Sequence, residues 1–255
     1  MTADRSYSRR RILGGIGLGA GGLMLGGCDA LNESEGFRSF LGLGEKINMG
    51  TQRLITGGAL VREYSESEMS PVFRSNGSTM PEDPAYQRFA ANGFSGWRLR
   101  VDGMVDRPLA ISYDNLRSLP ARTQITRHDC VEGWSAIGKW TGPQLSRILD
   151  MASVSPQANY IVFHCADTLR AGPYYESIDL LDAYHPQTIL AWGMNDQPLP
   201  IAHGAPIRLR AERHLGYKQA KFIMRIEARA RIDDLYAGNG GYWEDAAGYE
   251  WWAGI

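Results

Sequence analysis

Arg127, His128, Asp129, Cys130 and Glu132 set one thiol among four ionisable side chains, with Trp134 and Trp140 close behind. A deprotonated thiol is a soft metal ligand and a nucleophile, and in an oxidising compartment it is half of a disulfide. Residue types alone leave several readings open. Cys130 is a metal ligand, a nucleophile with His128 or His164 as its base, a disulfide partner of Cys165, or a small apolar filler. The chain holds three cysteines, Cys28, Cys130 and Cys165, and no Cys-x-x-Cys-His, so neither a zinc-type pairing nor a c-type haem attachment is present. No Gly-x-Cys elbow supports the nucleophile. Glu132 stands two residues past Cys130, which on extended backbone places both on one side. A carboxyl there relays protons or closes a salt bridge to Arg127.

A second group lies in His203-Gly204-Ala205-Pro206-Ile207-Arg208-Leu209 and in Gly216-Tyr217-Lys218-Gln219-Ala220-Lys221. A buried phosphate dianion calls for a bidentate arginine, a lysine point charge and backbone N–H donors, and both segments carry such groups. The alternation of Arg208 and Arg210 equally fits a basic hairpin that faces water.

The run Cys130-Val131-Glu132-Gly133-Trp134, led by Arg127, resembles the molybdenum-ligand segment of the sulfite oxidase superfamily, closest to its branch of bacterial periplasmic methionine-sulfoxide reductases. The likeness spans roughly residues 97–227. It implies an α+β, sulfite-oxidase-type fold with mixed sheets and flanking helices. It implies molybdenum carried by a molybdopterin without an appended nucleotide, with Cys130 as the only protein ligand and Glu132 and Arg127 beside the reacting centre. Carried over by position, Asn76, Cys165, His203, Arg208, Lys218, Gln219, Ala220 and Lys221 would hold the pterin and its phosphate. The implied reaction is oxygen-atom transfer, in the direction of S-oxide or N-oxide reduction, by a monomeric catalytic subunit fed by a membrane cytochrome b-type partner. Three positions depart from the branch. His203 stands for an asparagine, Cys165 for a threonine, and Tyr175 for an arginine that would shape the substrate funnel.

The elements that must position these groups are short. Trp97-Arg98-Leu99-Arg100-Val101 alternates as a half-buried strand turned by Asp102-Gly103. Ser112 caps a short helix stopped by Pro120. Pro143 opens a helix with Leu145, Ile148, Leu149 and Ala152 on one face. Tyr160 to Phe163 is an apolar strand that delivers His164, Cys165 and Ala166 at its end. Ser177 caps a helix through Tyr184, and strands follow at 188–192, 207–211 and 221–227. Strands and single helices without a regular βαβ repeat read as α+β. The aromatic end, Gly241 to Trp252, reads as core or lid packing.

At 255 residues, 44% hydrophobic, 22% charged and with a net charge of −1, the chain is long enough for a sizeable core and gives no basis for nucleic-acid binding. Ser8-Arg9-Arg10-Arg11-Ile12-Leu13, followed by a glycine-rich apolar run, reads as a twin-arginine signal. Leu25-Gly26-Gly27-Cys28 resembles a lipobox, with Asp29 behind it. The expected organisation is a signal over 1–28, a tether with one short helix over 29–70, and a catalytic domain over 71–255. The protein is expected in the periplasm, held at the inner membrane if Cys28 is lipidated.

Overall fold

A computed structural model describes residues 34–255. The twin-arginine run and Cys28 lie outside the described residues. The chain divides into one unit ending at Gly57 and a second from Gly58 to Ile255. In the first unit, α1 (Glu35–Thr56) is a 22-residue helix where only a short one was expected. Ser34 caps it by accepting from the Phe37 N–H at 3.3 Å, and Gly57, at φ 51°, stops it. Gly36, Gly44 and Gly50 lower its intrinsic propensity, which hides the helix from composition. No helix among the described residues is long and apolar enough to cross a membrane.

The second unit starts before Pro71, where order was expected to begin. The Val61 N–H donates to Gln187 Oε1 at 2.7 Å and the Tyr64 N–H to the Ile125 carbonyl at 2.9 Å, so this polar stretch is held by partners distant in sequence. In order follow α2 (Pro84–Ala91), β1 (Arg98–Gly103), β2 (Leu109–Ser112), α3 (Tyr113–Ser118), β3 (Ala121–Cys130) and β4 (Trp134–Pro143). Next come α4 (Leu145–Ala152), β5 (Tyr160–Leu169), β6 (Gly172–Asp179), α5 (Leu180–Ala183), β7 (Ile189–Ala191), β8 (Gly193–Met194) and β9 (Gln197–Pro198). The last elements are β10 (Arg208–Arg210), β11 (Ile223–Arg229) and α6 (Tyr242–Ala247).

Five strands form a mixed sheet in the order β2-β1-β11-β5-β6, in which only β1 and β11 run parallel. A second sheet is ordered β3-β4-β8-β9, and β10 pairs with β7. The architecture is α+β. The first sheet is covered on both faces because its strands alternate. Ile161 and Phe163 of β5 join Leu145, Ile148 and Leu149 of α4 in the main core, while Val162 packs with Tyr175 and Tyr242.

Three local expectations change. Ser177 lies inside β6 and donates to the Gly240 carbonyl at 2.5 Å, and Asp179 caps α5 instead by accepting from the Asp182 N–H at 3.0 Å. Pro143 ends β4, and α4 begins at Leu145. β5 runs on to Leu169, so His164 and Cys165 sit within the strand rather than at its end, next to an irregularity in its pairing with β6.

Candidate active site

Alternation along β3 buries Gln124, Thr126, His128 and Cys130 on one side and leaves Arg127 on the other. The strand ends at Cys130, which faces Trp134 of β4 across the turn Val131–Gly133. Gly133 takes φ 85°, a conformation glycine adopts without strain. The Asn76 amide donates to Cys130 Sγ at 3.4 Å. Burial holds the thiol above its ordinary pKa. Cys130 and Cys165 are both free, so the disulfide reading does not hold.

A cleft of about 230 Å³ opens over this turn, and Cys130, Glu132 and Asn76 line it. Glu132 accepts from Trp134 Nε1 at 3.0 Å, which orients its exposed carboxylate without pairing it to a base. Arg208, Gln219 and Lys221 line the same cleft. Arg208 is buried, and among the described residues it bonds only carbonyls, His203 O at 3.1 Å and Gln219 O at 3.4 Å. Its Nε has no partner. Burial, and then Arg210, press its pKa down to about 9. Lys221 Nζ bonds the carbonyls of Asn76 at 2.8 Å, Ser78 at 2.5 Å and Ala202 at 3.1 Å. Burial, and then Arg208, bring it to about 7. Among the described residues neither cation forms a salt bridge, and both turn toward one cleft. A buried arginine with an open N–H and a half-buried lysine, neither of them held by a carboxylate, fit an anionic ligand; a cofactor bearing a phosphate meets that need.

The shell behind them is rigid. Arg210 pairs with Glu212 at 2.5 Å and donates to His128 Nδ1 at 3.0 Å, which puts the His128 proton on Nε2. Burial, then Arg210 and Arg208, keep His128 neutral. A Cβ on Gly216 would come within 2.6 Å of His128 Nε2, so the 3-10 turn carrying Lys218 and Gln219 can approach β3 only with glycine there.

The other expected residues fall elsewhere. Arg127 is exposed and pairs with Asp129 at 2.9 Å, because it sits at an outward position of β3. Lys218 is fully buried away from the cleft, its Nζ 2.5 Å from both Glu176 and Glu244. Ala220 belongs to the main core, its carbonyl accepting from the Leu209 N–H at 2.8 Å. Cys165 packs against that core, and burial pushes its thiol well up. His203 stays half-buried beside Phe73, neutral, with its pKa lowered to about 4 by burial and by Arg208. It reaches the cleft only through the carbonyl that Arg208 bonds. Tyr175 does not face the cleft: it is buried and donates to Asp245 at 2.5 Å. Its neighbour Tyr174 lines the cleft instead.

Sequence reasoning missed Asp167, Tyr174, Trp243 and Tyr249, all of which line the cleft. Asp167 is 4% exposed, its Oδ1 lacks a partner, and burial raises its pKa to about 6. An acid in the strand that opens with the apolar run Ile161-Val162-Phe163 was the available signal. The aromatic C-terminus was visible, but not where it goes.

The sequence pattern of the oxidoreductase molybdopterin binding domain matches residues 87–236. A chain of Azospira oryzae, with the provisional name protein-methionine-sulfoxide reductase subunit YedZ1, is 37% identical over 100% of this chain and 88% of its own length. The protein-methionine-sulfoxide reductase catalytic subunits MsrP of Campylobacter jejuni and Xanthomonas campestris are 33% and 35% identical over 51% and 52% of this chain. Those matches span 48% and 44% of the two subunits, less than half of each. The sulfane dehydrogenase SoxCD of Paracoccus pantotrophus superposes over 71% of this chain and 48% of its own, at a TM-score of 0.51 and 17% identity, and shares the fold.

Proposed function

The chain belongs to the molybdopterin-binding oxidoreductase family, and from that premise we propose that it reduces sulfoxides, with Cys130 as the protein's ligand to molybdenum. The observation that carries the reading is the cleft itself, where one free thiol meets the buried Arg208 and the half-buried Lys221, neither of which forms a salt bridge among the described residues. A thiolate suits molybdenum, and metal binding displaces the proton that burial otherwise keeps on Cys130. The bound molybdenum supplies oxygen-atom exchange coupled to two-electron redox change.

The chain's own groups do the rest. Arg208 and Lys221 grip the phosphate, Arg208 through its open Nε–H, and Gln219 lies between them in sequence. Asn76, which bonds Cys130 Sγ, fixes that ligand's orientation. Reducing a sulfoxide to a sulfide and water consumes two protons with two electrons. Glu132, oriented by Trp134 and open to solvent, carries protons between water and the cleft. Sulfoxide reduction, rather than oxidation, accords with the names of the three sequence relatives. On the same footing the chain leaves the cytoplasm folded by the twin-arginine route. It works in the periplasm, anchored through lipidated Cys28, and takes electrons from a membrane cytochrome b-type subunit.

The test is steady-state turnover with reduced viologen over a panel of S-oxides and N-oxides, set beside sulfite with ferricyanide. The expected result is S-oxide reduction, with about one molybdenum per chain, lost in Cys130→Ala and depleted in folded Arg208→Ala. Sulfite oxidation without S-oxide or N-oxide reduction reverses the direction. An active protein free of molybdenum removes the reading.

A further inference from the structure

The family pattern ends at residue 236, yet residues beyond it reach the cleft that holds Cys130. Trp243 and Tyr249 line that cleft, with their rings stacked at 22° and 5.8 Å between centroids. Tyr217 meets Tyr249 edge-on at 5.0 Å and lines the cleft as well. We propose that this C-terminal aromatic wall is the substrate-facing side of the cleft, and that it selects sulfoxides by the size of the apolar arms on sulfur.

The proposal rests on the sulfoxide reading above and adds which residues choose the substrate. The wall is built rather than draped. Tyr242 stacks on Tyr174 at 5.4 Å and meets Trp243 edge-on at 5.3 Å. Glu244, next to Trp243, is tied to Lys218 at 2.5 Å, and Tyr217 Oη donates to the Glu250 carbonyl at 2.6 Å. The Tyr249 N–H returns to the Trp243 carbonyl at 3.3 Å, and the Leu215 N–H donates to the Ala253 carbonyl at 3.0 Å. Segment and cleft are therefore fixed to each other at both ends of the wall.

Chemistry divides the cleft in two. Arg208, with its open Nε–H, and Lys221 present the donor and charge that a phosphate-bearing cofactor needs, with Asn76 and Gln219 on the same side. The C-terminal part presents ring faces and no cation. A sulfoxide has the complementary division, a polar oxygen and a polarisable sulfur with two alkyl arms. Sulfur–aromatic contacts are favourable, and each further methylene removed from water adds to them. An aromatic wall therefore favours longer or aryl arms over methyl.

The experiment uses the molybdenum-loaded full chain. kcat/KM is measured for dimethyl sulfoxide, butyl methyl sulfoxide, methyl phenyl sulfoxide and methionine sulfoxide in the parent, Trp243→Ala, Trp243→Phe and Tyr249→Leu, with metal content read for each. The parent should prefer the larger arms. Trp243→Ala should lower the ratio for methyl phenyl over dimethyl sulfoxide by about tenfold, the scale of one or two lost apolar contacts. Trp243→Phe should restore most of that ratio, and Tyr249→Leu should reduce it while keeping the fold. Ratios unchanged in Tyr249→Leu, and in whichever Trp243 variant folds, overturn the wall. So does loss of molybdenum from folded Trp243→Phe, which would make the ring a cofactor contact. A parent that turns over no sulfoxide removes the sulfoxide reductase reading, whereas parent turnover with unchanged ratios removes only the selective wall.

Discussion

Asp167 carries the charge that the cleft opposes. Its carboxyl is 4% exposed, one oxygen has no partner, and burial raises its pKa to about 6 from an ordinary 3.8. A raised pKa means that the folded state prefers the proton. The group's stabilising contribution is present in full below about pH 4 and is lost as pH climbs through about 6, roughly 3 kcal/mol in all. In the cofactor-free protein, Asp167→Asn should therefore raise Tm above the parent's at pH 7 and give little gain at pH 4. Thermal melts at the two pH values check this, and an equal shift at both would show that Asp167 acts by packing alone. Lys221 is pressed down to about 7 by burial and by Arg208, with Asp167 acting to raise it. At this scale the sequence identified groups by type. It marked Arg208 and Lys221 as anion binders and gave no sign that Lys218, three positions from Lys221, would meet carboxylates instead.

That difference is made by elements. Glu176 comes from β6 and Glu244 from α6, 42 and 26 positions away from Lys218, and both reach its ammonium at 2.5 Å. Burial works against the lysine's charge, but Glu176 and Glu244 hold its pKa up, while burial pushes Glu176 up against the pull of Lys218. Removing the cation leaves two buried acids facing each other, a loss of about 3–5 kcal/mol. In a unit of this size Lys218→Met should lower Tm by roughly 10 °C. Molybdenum per folded chain should stay well above that of Arg208→Ala. Unchanged melting with lost molybdenum would return Lys218 to the cofactor. The elements themselves were partly legible. The α4 face and the Ser112 cap follow from local spacing and appear as expected. The helix expected to start at Ser177 starts only at Leu180, because Ser177 pairs along β5 and its hydroxyl is taken by Gly240, partners that no local window contains.

For the whole molecule, the proposed route out of the cytoplasm requires a folded, loaded protein, which is what a cofactor inserted before export demands. Replacing Arg9 and Arg10 together by lysine should leave folded, molybdenum-containing precursor in the cytoplasm, followed by fractionation and metal analysis. Palmitate labelling should depend on Cys28. Export at the parent's level in the double variant removes the twin-arginine assignment, and labelling that survives Cys28→Ser removes the anchor. The long α1, rather than a tether with one short helix, stands in the unit that ends at Gly57.

By itself the sequence determined the chemistry on offer: one thiol beside Glu132, an arginine and a lysine suited to phosphate, an α+β succession of short elements, and the family. These are properties of residue type and of near-neighbour spacing, which a linear reading sees. Only the tertiary structure decided which charges meet. It turned Arg127 outward by the parity of β3, took Lys218 into a buried carboxylate clamp, and left Arg208 and Lys221 beside Cys130 without a salt bridge among the described residues. It also brought Asp167 and the C-terminal rings of Trp243 and Tyr249 to the same cleft. The physical reason is that burial and ion pairing are settled between elements far apart in the chain, and a side chain's charge has no partner until the sheets have closed around it.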